Sequence, residues 1–180
     1  MIEHPNPTPA FQFLTHVVDH LVNDCGWPIN RIHFFGFSQG GSVAVEFVIE
    51  RWKAQQLQVR KAIGSGSESA EQASSPVLTV STFASVITVS GPLLSYPTLS
   101  TRCSTPILVV HRTPPAETAG ALNAFKKAYR DITESRMASK ATGMPASREE
   151  WEPIMRFWSS NLSRRQVEGL YEVMTGASSS

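Results

Sequence analysis

The chain of 180 residues is poor in several features that would narrow its function at once. Its two cysteines, Cys25 and Cys103, are too few and too far apart for a disulfide framework or a cysteine-rich metal cluster, and both thiols are expected to be buried. No run of about 18 or more apolar residues occurs, which leaves no candidate for a membrane-spanning helix. The N-terminus is proline-rich and lacks a basic segment followed by an apolar core, so no secretory leader is expected and the chain reads as cytoplasmic. Charge of one sign is also lacking, since 16 Lys and Arg face 15 Asp and Glu for a net charge of +1. With the basic residues scattered, neither nucleic acid nor an anionic membrane is indicated as a partner. Hydrophobic residues make up 41% of the chain, enough for one cooperative core, so a single domain over 1–180 is expected.

The patterns that are present suggest alternating strands and helices. Phe11, Leu14, Val18 and Leu21 recur on one face of a helix that Thr8 can cap and that Gly26 and Pro28 end. His16 and His20 lie one turn apart, but no third ligand accompanies them, so they are read as exposed or boundary residues without a metal. The apolar runs at 31–35, 83–90 and 106–110 read as buried strands of a parallel sheet. Residues 43–49 suit a helix buried against that sheet, and 117–130 predict a second one. A flexible loop is expected at 64–76, where apolar side chains are nearly absent. The stretch after residue 130 lacks a continuous apolar run, so no further strand is expected there. Ser147 and Glu150 form a capping box, opening a helix with an apolar stripe of Trp151, Ile154, Met155, Trp158 and Leu162.

Gly36-Phe37-Ser38-Gln39-Gly40 carries the chemistry. It matches the G-x-S-x-G nucleophile elbow and is preceded by a strand and followed by a buried helix, which is the context the motif requires. Ser38 would attack an ester or thioester carbonyl, and the backbone N–H of Gln39 would donate to the developing oxyanion. A serine hydroxyl needs a base, and the usual chain order in such sites is serine, acid, histidine. His111 is the only histidine after Ser38, while Glu117 and Asp131 both follow it, so the order is inverted. Glu68 and Glu71 do precede His111 but sit in the loop at 64–76, a poor platform for positioning. His111 is the remaining base candidate and Glu117 the remaining acid candidate.

The segments RIHFFGFSQGGSVAVEF, TPILVVH and GMPASREEWEPIMRFWSSNLSRR resemble the phospholipase/carboxylesterase family of α/β-hydrolases, which includes acyl-protein thioesterases. The resemblance covers roughly residues 10–50 and 84–165 and begins partway into the family fold. It implies a partial α/β-hydrolase fold, a mostly parallel sheet flanked by helices, with Ser38 as nucleophile, Gln39 as backbone oxyanion donor and no cofactor. The implied substrate is a small ester or thioester. Pro115 stands at the position of the family acid, with Glu117 the nearest substitute, and Thr142 stands at that of the family histidine. A degenerate copy acting as a binding protein is the alternative that these departures imply. The family's earlier strands, which also supply a second oxyanion donor, have no counterpart, so the strand at 31–35 is expected to present an open edge available for self-association.

Overall fold

The computed structural model describes residues 6–64, 81–112, 115–137 and 143–162. Helix α1 spans Thr8–Asp19 and runs on through a π-helical turn at His20–Asp24. Thr8 is its first helical residue rather than its cap; the Asn6 side-chain oxygen accepts the Thr8 N–H at 3.0 Å instead. A short 3-10 turn at Ile29–Arg31 leads into β1, His33–Phe37. Then follow α2 (Gln39–Gly64), β2 (Ser85–Val89), β3 (Ile107–His111), α3 (Pro115–Ala128), β4 (Ile132–Arg136) and α4 (Arg148–Asn161). Of the loop expected at 64–76, Gly64 closes α2 and the rest lies outside the described residues.

The four strands form one parallel sheet in the order β1-β2-β3-β4. This is the α/β arrangement that the strand-helix alternation implies, with three corrections. β1 begins and ends two residues later than expected, so Gly36 lies inside the strand instead of closing it. His111 is the last residue of β3 rather than the first of the following loop. β4 itself was not expected, because it carries a single apolar side chain: Ile132 packs on the core while Thr133, Glu134 and Arg136 are exposed. A strand at the end of a sheet has one partner and more solvent, so it does not need the continuous apolar run that marks β2 and β3.

Side chains alternate across the sheet and build two cores. On one face Phe34, Val86, Ile107 and Val109 meet Val18 of α1, Val45 and Phe47 of α2, and Phe125 of α3. Phe34 sits edge-on to Phe47 and Phe83, with ring centroids 5.6 and 5.0 Å away. On the other face Ile87, Val89, Leu108 and Val110 meet Ile154 and Phe157 of α4, and Phe35 stacks on Trp151 at 5.7 Å. The α4 stripe is shifted from the expected one: Phe157 turns inward, whereas Met155 and Leu162 are exposed. Ser147 does cap α4, accepting the Glu150 N–H at 3.3 Å. Tyr129 is fully buried at the end of α3, and its hydroxyl donates to the Val45 carbonyl at 2.7 Å, tying α3 to α2. Cys103 is buried as expected, but Cys25 is exposed, because it lies at the end of the π turn and not on the packed face of α1.

The first turn of α2 lies directly on β1. A Cβ on Gly36 would stand 2.4 Å from the carbonyl carbon and oxygen of Gly40, a contact that neither backbone can relieve. Gly36→Ala should therefore lower the unfolding free energy by about 2 kcal/mol or more in urea titrations, at the upper part of the usual overpacking range. Gly40→Ala, whose Cβ would meet nothing within 4 Å, should be neutral or stabilising by up to ~1 kcal/mol from helix propensity.

Candidate functional site

The close approach of α2 to β1 leaves a single residue, Ser38, to turn the chain from strand to helix. Ser38 adopts φ 51°, a left-handed conformation that costs a non-glycine residue about 1–3 kcal/mol unless its surroundings hold it. Here they do. The Ser38 N–H donates to the Val89 carbonyl at 2.8 Å, continuing the β1–β2 ladder, and the Ser38 carbonyl accepts from Ser42 at 3.1 Å, opening α2. Gly91 lies against the outside of the turn, where a Cβ would stand 2.5 Å from the Ser38 carbonyl oxygen. The Thr88 hydroxyl fixes that neighbour by donating to the Gly91 carbonyl at 2.9 Å. Ser38 is consequently exposed on a rigid support at the C-terminal end of the sheet.

Gln39 is the first residue of α2, so its N–H belongs to the turn whose donors have no intrahelical acceptor, and the helix dipole adds positive potential beside Ser38. The loop after β2 is ordered next to this turn by a buried carboxylate. Glu46 accepts the Leu94 and Ser95 N–H groups at 2.7 Å each and the Ser95 hydroxyl at 2.8 Å. This clamp is invisible in the sequence, where Glu46 interrupts an apolar helix without any local partner.

Among the described side chains, His111 does not gather at Ser38. His111 is buried, and its Nε2 lies 2.8 Å from Glu134 Oε1 on β4. In the strand order β4 flanks β3 on the side away from β1, so the ring is engaged away from Ser38, with β1 two strand spacings or about 10 Å off. The acid beside His111 among the described side chains is Glu134, while Glu117 belongs to the first turn of α3. Burial pushes the Glu134 carboxyl up, but hydrogen bonds from Arg136 and His111 outweigh it and hold the group below its ordinary value. The signal for this acid was the alternation Ile132, Glu134, Arg136, missed together with the strand that carries it.

Arg112, next along the chain, is committed to structure. Its guanidinium forms a two-pronged pair with Glu150 at 2.7 and 3.2 Å and donates to the Met144 carbonyl at 3.2 Å, binding the end of β3 to α4. Glu150 also accepts the Ala146 N–H at 2.8 Å, so its carboxylate secures the segment entering the helix that its own N–H caps. Thr142, at the position of the family histidine, and Glu68 and Glu71 lie outside the described residues.

One serine–histidine hydrogen bond occurs among the described residues: His33 Nδ1 to Ser85 Oγ, 2.8 Å. It joins the first residues of β1 and β2, at the end of the sheet opposite Ser38. Burial pushes the His33 imidazole down from its ordinary value, and Ser85 is fully buried. A cleft of about 750 Å³ lies elsewhere again, between β4 and α4, lined by residues including Thr133, Glu134, Glu152 and Phe157 and by none of the elbow. Among the described residues no helix is long and apolar enough to cross a membrane.

No family model matches the chain. An uncharacterized hydrolase of Mycosarcoma maydis, UM10204, is 28% identical over 176 residues; the match covers 94% of this chain and 57% of that protein, so the chain spans little more than half the length of the curated relative. Among solved structures, a variant of SOBER1 from Arabidopsis thaliana superposes with a TM-score of 0.59 at 15% identity, covering 91% of this chain and 68% of the other. An alpha-beta hydrolase from Vibrio vulnificus does so with a TM-score of 0.54 at 15% identity, covering 88% and 58%. The fold is that of an α/β-hydrolase.

The Arg112–Glu150 pair makes the end of β3 sensitive to acid. The Arg112 guanidinium and the Ala146 N–H hold the Glu150 carboxyl below its ordinary value of 4.5. A depressed folded-state value contributes stability that is present above 4.5 and lost as pH falls through the folded value. Thermal unfolding should therefore show a Tm that drops as pH is lowered from about 5 to 3, and Glu150→Gln should lower the Tm at neutral pH and flatten that drop.

Proposed function

We propose that this chain carries the nucleophile-bearing part of a carboxylic ester or thioester hydrolase, with Ser38 as the attacking group and the Gln39 N–H as oxyanion donor. The carrying observation is the exposed Ser38 hydroxyl on a left-handed strand-to-helix turn, φ 51°, at the positive end of a 26-residue helix. That geometry suits a hydroxyl attacking an acyl carbon while a backbone N–H donates to its carbonyl oxygen, which is what the first step of acyl transfer needs. The substrate class is a small ester or thioester, in keeping with the family resemblance and with the fold shared with other α/β-hydrolases.

The 180-residue chain by itself should turn over such esters very slowly. Deprotonating Ser38 needs a base within hydrogen-bond reach, and among the described residues its hydroxyl has no histidine partner. His111 is buried and held by Glu134, and to reach Ser38 it would have to break that bond and cross β2. The same facts support the second reading, a catalytically inactive α/β-hydrolase-like binding protein that retains the elbow as a folding element. A different nucleophile is favoured by one observation alone, the His33–Ser85 hydrogen bond; its burial removes it from any acyl donor unless the N-terminal ends of the strands open.

Reaction with a fluorophosphonate probe distinguishes these readings. Slow labelling of the parent, abolished by Ser38→Ala and retained in Ser85→Ala, with negligible turnover of short p-nitrophenyl esters, is expected. Labelling that survives Ser38→Ala and is lost in Ser85→Ala would transfer the nucleophile to Ser85. Rapid labelling at Ser38 with substantial turnover would overturn the absence of a working base.

We further propose that β1, which among the described residues pairs with β2 on one side, associates with a second chain along its other edge. Sedimentation velocity over a hundredfold concentration range should then show a weight-average mass rising with concentration; a constant monomer mass would refute the association.

A further inference from the structure

The π-helical turn that ends α1 assembles a cluster unrelated to Ser38. A π turn has more residues per turn than an α-helix and closes i to i+5, so residues four and five places on both come to lie beside residue i. The Cys25 N–H accordingly bonds the His20 carbonyl at 3.1 Å. Asp24 and Cys25 then flank the His20 ring at its two nitrogens: Nδ1 lies 2.6 Å from Asp24 Oδ2, and Nε2 lies 3.7 Å from Cys25 Sγ. In an ordinary α-helix Cys25 would be rotated away from this ring. Gly26, at φ 68°, and a bond from the Trp27 N–H to the Leu21 carbonyl at 2.9 Å fasten the turn immediately after Cys25.

We propose that Asp24, His20 and Cys25 form an activated thiol site at which Cys25 exchanges with small-molecule disulfides. The carboxylate at Nδ1 selects the tautomer with its proton on that nitrogen, leaving the Nε2 lone pair facing the thiol. Cys25 passes its S–H proton to Nε2, and the imidazolium formed is held by Asp24. The thiolate attacks one sulfur of a disulfide R–S–S–R. A Cys25–S–S–R bond forms, the R–S–S–R bond breaks, and the departing thiolate takes the proton back from Nε2 as RSH, so that the disulfide is the oxidant and no other is needed.

The surroundings fit a modification site better than a buried structural contact. Cys25 is exposed, and the side chains of His20 and Asp24 are 64% and 66% exposed, which admits a reagent to the sulfur. A cavity of about 300 Å³ lined by His16, Asp19, His20, Asn23 and Asp24 opens beside the ring. A groove of about 570 Å³ on the same helix, with Phe13 and Val17 at its surface, continues from His20 and offers room for an apolar arm of the disulfide. Asp19 is engaged with Arg51 at 3.0 Å and does not compete for the histidine. A metal site is not the better reading, since among the described residues no three His, Cys, Asp or Glu side chains converge on one point suited to an ion.

The test is the reaction of the full chain with dithiodipyridine, an uncharged aromatic disulfide, at neutral pH, with the modified cysteine located by peptide mass mapping. Cys25 should react first, with buried Cys103 serving as the slow internal reference. General-base assistance is commonly worth 10²-fold or more, and in so exposed a cluster about tenfold is expected, so His20→Gln should slow Cys25 by about that factor. Asp24→Asn, which keeps a hydrogen-bond acceptor for Nδ1–H but removes the charge, should slow it several-fold, and circular dichroism should confirm unchanged helix content in both variants. Equal Cys25 rates in the parent and both variants, or reaction at Cys103 before Cys25, would overturn the proposal.

Discussion

The backbone of α2 rests on the backbone of β1, and the geometry of the elbow follows from that contact. With glycine at 36 and at 41, strand and helix meet closer than a side chain at either position permits, and the chain turns from one to the other at Ser38. Ser38 takes the left-handed conformation, φ 51°, at the junction of the two elements. The strain does not relax, since the Ser38 N–H is drawn into the ladder with β2 while its carbonyl begins α2. The same contact leaves the first N–H groups of α2 free beside the serine, so mechanical support and electrostatic potential have one origin. Gly91 and the Glu46 clamp extend the arrangement to the loop after β2.

Charge at the C-terminal end of the sheet is otherwise spent on holding elements together. His111 and Arg112 are adjacent in sequence, yet alternation along the end of β3 sends them to different partners. His111 reaches Glu134 on the neighbouring strand and Arg112 reaches Glu150 on the helix beneath the opposite face. The Arg112–Glu150 pair is largely shielded and His111 is buried against a more exposed Glu134, so removing a partner would leave a polar group without compensation inside the protein. A base recruited to Ser38 from this region would have to leave such a pair, which is why the histidine that follows Ser38 in the chain is poorly placed to serve it. The chemistry the elbow prepares is therefore separated from the ionisable groups that surround it by a structural commitment, and not by distance alone.

The π turn at the end of α1 shows the same principle on a smaller scale. One extra residue in a helical turn brings an acid, an imidazole and a thiol into line, while the α-helix before it places Phe11, Leu14 and Val18 on the core. Regular periodicity builds the packed face and its local failure builds the polar cluster.

Much of this was legible in the residues themselves. The elbow at Ser38, the buried helix after it, the strands β2 and β3 and the cap at Ser147 are local signals, written in glycine spacing, continuous apolar runs and a capping box, and the α/β-hydrolase fold follows from their order. Tertiary structure decided the rest. β4 could be recognised only beside β3, because a strand at the end of a sheet draws half its character from its neighbour. Glu134 became the partner of His111, Glu150 that of Arg112, and Glu46 the clamp on residues 94 and 95, across separations of 23 to 49 positions. Local sequence dictates backbone conformation through sterics and periodicity, whereas the partner of a charged side chain is set by which elements the sheet register brings within about 3 Å, and no spacing along the chain encodes that distance.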